Sequence, residues 1–445
     1  MQRTISAVKM AHDMEKQWRN LSELSGERCI YRVPERLRQV NEKAYTPQVV
    51  SIGPLHHDNK SLKAMEEHKL RYLRHFLSRT RVRLFDYIQM VQRQEERLRG
   101  SYAEPIVFDK DEFVRIVSVD AAFVLEVLLR FHYSNYTKED DYIFKNPTMK
   151  EDVVRDLKLL ENQLPFFILQ DLFTFFPYSP EHPSLLKISC TFFQSQIDSK
   201  GKEKYDEIGV EVKHFVDLIR ILYLQMKPKT TDTPKTTLCD RMQVRLSHSI
   251  FLTSGYTPNA TATPNVTELH QAGVKFKEGK DSRLIDIKFS SGILGICGIL
   301  EIPKLRVDDT TDLTLRNLLA FEQCHHRGKD YLANYVFLMK RLVKTQDDVQ
   351  LLAEKGIIDN WLVDTQKVST LLRDLGTGML VDNSHYATLL EELTNHRAKH
   401  WPKWMVILKQ NYFNSPWSTI SVAAAVILLI LTLLQTVCSL KSVPL

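Results

Sequence analysis

FVRIVSVDAAFVLEVLLRF, residues 113–131, decides the class of this fold. Apolar side chains cover most of its faces at helical spacing, so it reads as a central helix enclosed by others. Asp109 precedes it and Glu112 follows three residues later, the spacing of a capping box with Asp in the cap position. Working outward, Glu66 to Leu77 has helical spacing, Thr4 to Leu24 reads as a charged amphipathic helix, and Cys29 to Pro54 is extended and proline-bearing. From Val153 to Phe176, Leu157, Leu160, Leu164, Ile168 and Leu172 recur at helical spacing around Pro165. Proline lacks an amide donor and disfavours a helical residue before it, so Pro165 either kinks this segment or starts a second helix.

Beyond residue 226 the composition changes to Lys, Thr, Pro and Asn, as in KPKTTDTPKTT and TSGYTPNATATPN, which marks a flexible connection. Past it, Val274 and Phe276 alternate with polar residues, Leu284 to Phe289 do so more loosely, and Ile302, Leu305 and Val307 follow. These read as short strands of a small antiparallel sheet. Helical spacing returns over Leu313–Leu342, Asp347–Lys355 and Asp364–Leu375. The expected fold is therefore mainly α (α+β). A helical N-terminal part spans 1–226, a linker 227–267, a second part of strands then helices 268–400, and an aromatic, basic approach 401–419 leads to an apolar helix at 420–440.

That last helix carries the expectation of location. No residue between Gln410 and Leu440 is charged, and Ile420 to Val437 reads ISVAAAVILLILTLLQTV. At about 1.5 Å per residue, such a segment is roughly 27 Å long, close to the hydrocarbon thickness of a bilayer. Trp417, with Tyr412, Trp401 and Trp404 before it, suits the interfacial belt of an anchor running from Ile420 through Val437 to Leu440. Arg397, Lys399, Lys403 and Lys409 lie upstream against Lys441 downstream, and Met1 to Asn20 holds no secretory core, so the expectation is a single-pass tail anchor with the bulk of the chain in the cytoplasm. The lipid bilayer is thus the first expected partner. Ser421 and Ala425, four apart, could let two such helices pack as a homo-oligomer. Sequons at Asn20, Asn59, Asn135, Asn259 and Asn265 point the other way, to a secretory lumen.

Composition narrows the function classes. The 445 residues are 43% hydrophobic and 26% charged, ordinary globular material, and a net charge of +6 does not make nucleic acid the expected partner. Cys29, Cys190, Cys239, Cys297, Cys324 and Cys438 show no C-x-x-C spacing, which favours a reducing compartment over a disulfide framework. Nucleophile elbows, zinc-protease helices and phosphate loops are absent, and no catalytic residue or cofactor is expected. Glu322, Cys324, His325 and His326 in EQCHH are metal-ligand types. Adjacent histidines leave a helix on different faces, however, so the group is only a weak metal candidate and no metal is expected. His56, His57 and Asp58 invite the same idea with the same discount. Asp308, Asp309 and Asp312 read as a loop and cap before the helix near Leu313. Arg71, Arg74, Arg79, Arg81 and Arg83 read first as a solvated helix face with internal ion pairs; nucleic acid would also explain them, and so would an acidic membrane surface.

Several blocks taken together resemble a family. IYRVPERLRQVNEKAYTPQVVSIGPLHH (30–57), MEEHKLRYLRHFL (65–77), DLKLLENQLPFFILQDLF (156–173), ELHQAGVKF (268–276), LRNLLAFEQC (315–324) and YFNSPWSTIS (412–421) resemble, in that order, the plant family catalogued as domain of unknown function 247. The resemblance implies a plant protein, mostly helical, with a C-terminal transmembrane helix and no established biochemical activity. Some grass members are associated with self-incompatibility, which implies a partner-binding role. This sequence departs from the pattern at Ser290 to Leu300, where the family's strand connection is shorter. The expected function is a membrane-anchored protein-interaction or recognition module with an unidentified protein partner. A cell-surface recognition protein of the self-incompatibility type and an enzyme of unrecognised type are the alternatives.

Overall fold

The computed structural model describes residues 2–19, 25–177, 182–194, 211–224, 263–279, 283–291, 298–325, 330–381, 385–398 and 416–441. The chain divides into two units, Met1–Phe193 with Glu211–Ile219, and Gln194–Val210 with Arg220–Leu445. Residues 225–262, most of the expected linker, lie outside the described residues.

In chain order the first helices are α1 (Gln2–Arg19), α2 (Glu35–Arg38), α3 (Ala64–Thr80), α4 (Leu84–Arg93), α5 (Glu95–Gly100), α6 (Lys110–His132), α7 (Pro147–Asp156), α8 (Phe166–Phe173), α9 (Leu185–Gln194) and α10 (Phe215–Leu224). The decisive run lies in α6. Every residue from Ile116 to Arg130 is buried, and α3, α4 and α8 pack on it. Asp109 caps α6 by accepting from the Glu112 amide at 2.9 Å, which is the first half of the expected box. A helix buried on all sides must also bury whatever polar residues it carries, and α6 buries Asp120, Glu126 and Arg130. The first unit is arranged to answer them.

Pro165 takes the second of its two expected roles. It caps α8, and α7 has already ended at Asp156. Leu157, Leu160 and Leu164 are buried as their spacing implied, but they sit in a non-helical turn between the two helices. Side chains supply that turn's hydrogen bonds: Gln163 Nε2 donates to the carbonyls of Leu157 and Leu159, and Asn162 Nδ2 to those of Val50 and Asp156.

The second unit holds α11 (Val266–Gln271), β1 (Val274–Glu278), β2 (Lys288–Ser291), β3 (Gly298–Ile302), β4 (Leu305–Val307), α12 (Thr311–His325), α13 (Tyr331–Leu342), α14 (Gln346–Glu354), β5 (Ile358–Asn360), α15 (Thr365–Leu375), α16 (Ala387–Ala398) and α17 (Pro416–Lys441). The expected antiparallel sheet is instead mixed. Its order is β1-β3-β2, with β3 antiparallel to β2 and parallel to β1, and β4 pairs in parallel with β5. Alternation tells which face a strand buries and says nothing of its direction. Here β2 reverses the chain, so β3 returns alongside β1 in the same sense, and β5 reaches β4 only after α12–α14, the kind of crossover that parallel pairing needs. Gly298 opens the central strand where a Cβ would stand 2.6 Å from the Phe289 ring, so any larger residue there would have to displace that ring.

Two capping boxes fix the helices around the sheet. Asn265 and Glu268 close one on α11, and Thr345 and Asp348 close another on α14. The buried Asp348 also accepts from the Thr267 amide at 2.8 Å and its hydroxyl at 2.7 Å, tying α11 to α14.

Candidate functional site

Three of the six sequence blocks meet in a buried polar frame of the first unit. The extended segment at 45–57 has no strand partner to satisfy its amides, and carboxylates and amides from elsewhere do so instead. Asp156 accepts from the amides of Gln48, Val49 and Val50 at 2.8–3.1 Å, Asn162 Oδ1 from Ile52 at 2.7 Å, and Asp120 Oδ2 from Gly53 at 2.8 Å. Lys69 of α3 closes the frame, donating to the Ser51 carbonyl at 2.9 Å and pairing with Asp120. Burial opposes its ammonium, but Asp120 and Glu66 outweigh that and move its pKa up. Gly53, at φ +74°, sits where a Cβ would lie 2.7 Å from the Gln163 carbonyl oxygen, so Gly53-Pro54 is a close crossing of chain segments.

Glu161 gathers a second set. Its carboxylate accepts from the Val33 amide at 2.6 Å, pairs with Arg38, and lies 3.0 Å from His56 Nε2. Burial alone would raise its pKa; His56, Val33 and Arg38 together hold it below the usual value. His56 is thereby spent on Glu161, while His57 stands edge-on to Phe108 at 5.7 Å, so the two histidines do not converge.

The five arginines of the expected patch part company. Arg79 turns inward, pairing with Glu126 of α6 at 2.9 Å and lying 3.7 Å over the Tyr136 ring. Arg71 pairs with Glu67, and Arg83 with Asp86 at 2.6 Å. Arg74 and Arg81 are exposed, with no ion-pair partner among the described residues. Glu126 also holds Arg130 at 2.9 Å, and Arg130 in turn pairs with Asp141 and lies 3.9 Å over Tyr72. His75 Nδ1 sits 2.7 Å from Arg130, and burial, then Lys138 and Arg130, lower its pKa.

A family model for plant proteins of unknown function, DUF247, matches residues 30–431. The chain belongs to this family. The DUF247 chain is 29% identical to the UPF0481 protein At3g47200 of Arabidopsis thaliana over 93% of its own length and 86% of that protein. It is 23% identical to the putative UPF0481 protein At3g02645 of the same plant over 97% of its length and 94% of that protein. No solved structure matches it.

In the second unit of this DUF247 protein, the described residues of EQCHH, 322–325, make separate contacts. Glu322 points inward, pairs with Arg220 at 2.9 Å and accepts from the Ala333 amide at 3.0 Å; burial raises its pKa against those partners. Gln323 exchanges two hydrogen bonds with the backbone of Leu380. His325 stacks on Phe321 at 5.0 Å, Cys324 is half-buried, and His326 lies outside the described residues. Among the described residues, no group of three or more His, Cys, Asp or Glu could hold a metal ion. Asp308 accepts from the Thr310 amide and hydroxyl at 2.9 Å, the loop chemistry expected of it.

The apolar segment forms α17. Ile420 is exposed; the side chains of Trp417, Val437 and Leu440 lie outside the described residues. Among the described residues no helix is long and apolar enough to cross a membrane. The longest run of described side chains on α17 is 427–435, only about 14 Å of helix.

Sequence reasoning missed the polar frame. The signal was DLKLLENQL itself, whose Asp156, Glu161, Asn162 and Gln163 interrupt an apolar run without forming a solvent-facing stripe. Polar residues packed that densely among leucines have to be satisfied inside.

Proposed function

We propose that this chain is a protein-interaction module held at a membrane by α17, with no catalytic role. The observation that carries the tether is that Ile427 to Leu431, which together circle the helix, are each more than half exposed. A helix that turns apolar side chains outward on every face needs an apolar surround rather than water. Thr432 fits the same reading, because its hydroxyl donates to the Leu428 carbonyl at 2.7 Å and so asks little of a solvent. The interaction role is supported by how the buried carboxylates are used: Asp156, Glu161, Asp348 and Glu322 are occupied by backbone amides, hydroxyls or cations of the same fold.

Flotation of the full chain with liposomes tests the tether. The protein is expected to rise with the vesicles and resist alkaline carbonate, and deletion of 416–441 is expected to leave it in the dense fraction. A full chain that stays dense with vesicles would overturn the anchor. Protease protection of the membrane-bound protein then reads which side the two units occupy, expected to be the cytoplasmic one. The cell-surface reading, of the self-incompatibility type, draws on one observation: Asn135, in a sequon, is exposed beyond the end of α6. A glycosidase-sensitive mass shift that disappears in Asn135→Gln would favour that side instead.

A further inference from the structure

The outer face of α4 combines exposed apolar side chains with arginines. Inwardly the helix is fixed by the buried Tyr87 and Val91, with the Tyr87 hydroxyl donating to the Ser118 carbonyl at 3.0 Å. Outwardly Phe85 is 67%, Leu84 49% and Ile88 36% exposed, and the spacings 84/88 and 85/88 put them on one side of the helix. Arginines stand at both ends of the helix. Arg81 is exposed in the left-handed conformation that ends α3, Arg83 is exposed beside Asp86, and Arg93 is exposed and donates only to the neutral Gln89. Between 81 and 93, Asp86 is the one acid against three arginines.

We propose that this face is a second membrane contact. Leu84, Phe85 and Ile88 enter the headgroup boundary of an anionic leaflet, while Arg81, Arg83 and Arg93 meet its lipid phosphates. The inference rests on the tether proposed above, which would keep the face at high effective concentration beside the lipid. Two properties favour lipid over a protein partner. The face is the convex side of a helix, which a fluid interface accepts without a matching groove, and its uncompensated charge is of the sign that acidic lipids attract.

The test uses the full chain on vesicles of phosphatidylcholine alone and with about 30% phosphatidylserine, followed by flotation and by amide hydrogen exchange of residues 84–91. Those amides are expected to exchange more slowly on the anionic vesicles. Each arginine should contribute roughly fivefold, so Arg81→Gln with Arg93→Gln should return exchange close to the neutral-vesicle rate. Phe85→Ser should do the same, and because its side chain is exposed it should leave the fold intact. Exchange that is equal on both vesicles while the chain floats on both would overturn the α4 contact and leave the anchor standing. Flotation only on anionic vesicles, lost in Phe85→Ser, would support the contact and remove the anchor. No flotation on either would overturn both. Protection that grows with protein concentration in lipid-free detergent would assign the face to a second copy of the chain and overturn the lipid contact.

Discussion

Asp156 shows how much rests on one side chain. Burial pushes its carboxyl up to about 6 from an ordinary 3.8, while the amides of Val50, Val49 and Gln48 pull the other way. A carboxyl with a raised folded pKa holds its proton more tightly folded than unfolded. The stability it contributes is therefore fully present below about 3.8 and is lost as pH rises through about 6, roughly 3 kcal/mol in all. Asp156→Asn has no such proton, so urea unfolding between about pH 4 and 6 should show the parent losing about that much relative to the variant. A constant difference across that range would mean the three amides keep the carboxylate ionised. The residue was visible in DLKLLENQL, but its role was not, because its partners stand over a hundred positions earlier and period carries no information about them.

At the scale of elements, the link between α3 and α6 is a buried ion pair. Removing one member of such a pair leaves the other as an uncompensated buried charge, so Lys69→Met alone should cost roughly 3–5 kcal/mol. Asp120→Asn added to it keeps an acceptor for the Gly53 amide and removes the stranded charge, and should recover much of that loss. A double-mutant cycle by urea unfolding checks this; additive losses would mean that Lys69 acts through packing alone. Elements were the most legible level of the sequence. α6 and its Asp109 cap, α3, α14 and α15 follow from spacing and caps, because those signals are local. Strand direction did not follow, nor did the length of the break that Pro165 marks, because from 157 to 164 leucines keep a helical period through a turn built by Asn162 and Gln163. For the arginines, local spacing could not pair Arg79 with Glu126, 47 positions away, while Arg81 stays exposed.

On the scale of the whole molecule, the order of the chain and the order of the units differ. The first unit takes residues up to Phe193, releases the chain, and recovers Glu211–Ile219. That recovered piece is closely held: the Phe166 amide donates to the Lys213 carbonyl at 2.7 Å, the Phe215 amide to Gln163 Oε1 at 3.0 Å, and His214 Nε2 lies 2.9 Å from the Cys29 carbonyl oxygen. Phe215, Val216, Leu218 and Ile219 are buried. A fragment ending at residue 193 should therefore expose apolar surface and bind a hydrophobic dye. One ending at residue 224 should unfold cooperatively. Equal cooperativity in the two would show that the recovered piece adds nothing.

The same piece sets a schedule for synthesis. A unit that keeps part of its interior at 211–219 cannot complete itself while the chain emerges up to 193, and at about 5–20 residues per second the ribosome needs at least one more second to supply the rest. During that interval Gln163 still lacks the amide it will accept from, and the Phe166 ring lacks the Phe215 ring that it meets at 6.1 Å. The nascent protein is at its most vulnerable just before the first unit closes, which makes that interval the natural point for a chaperone to attend it.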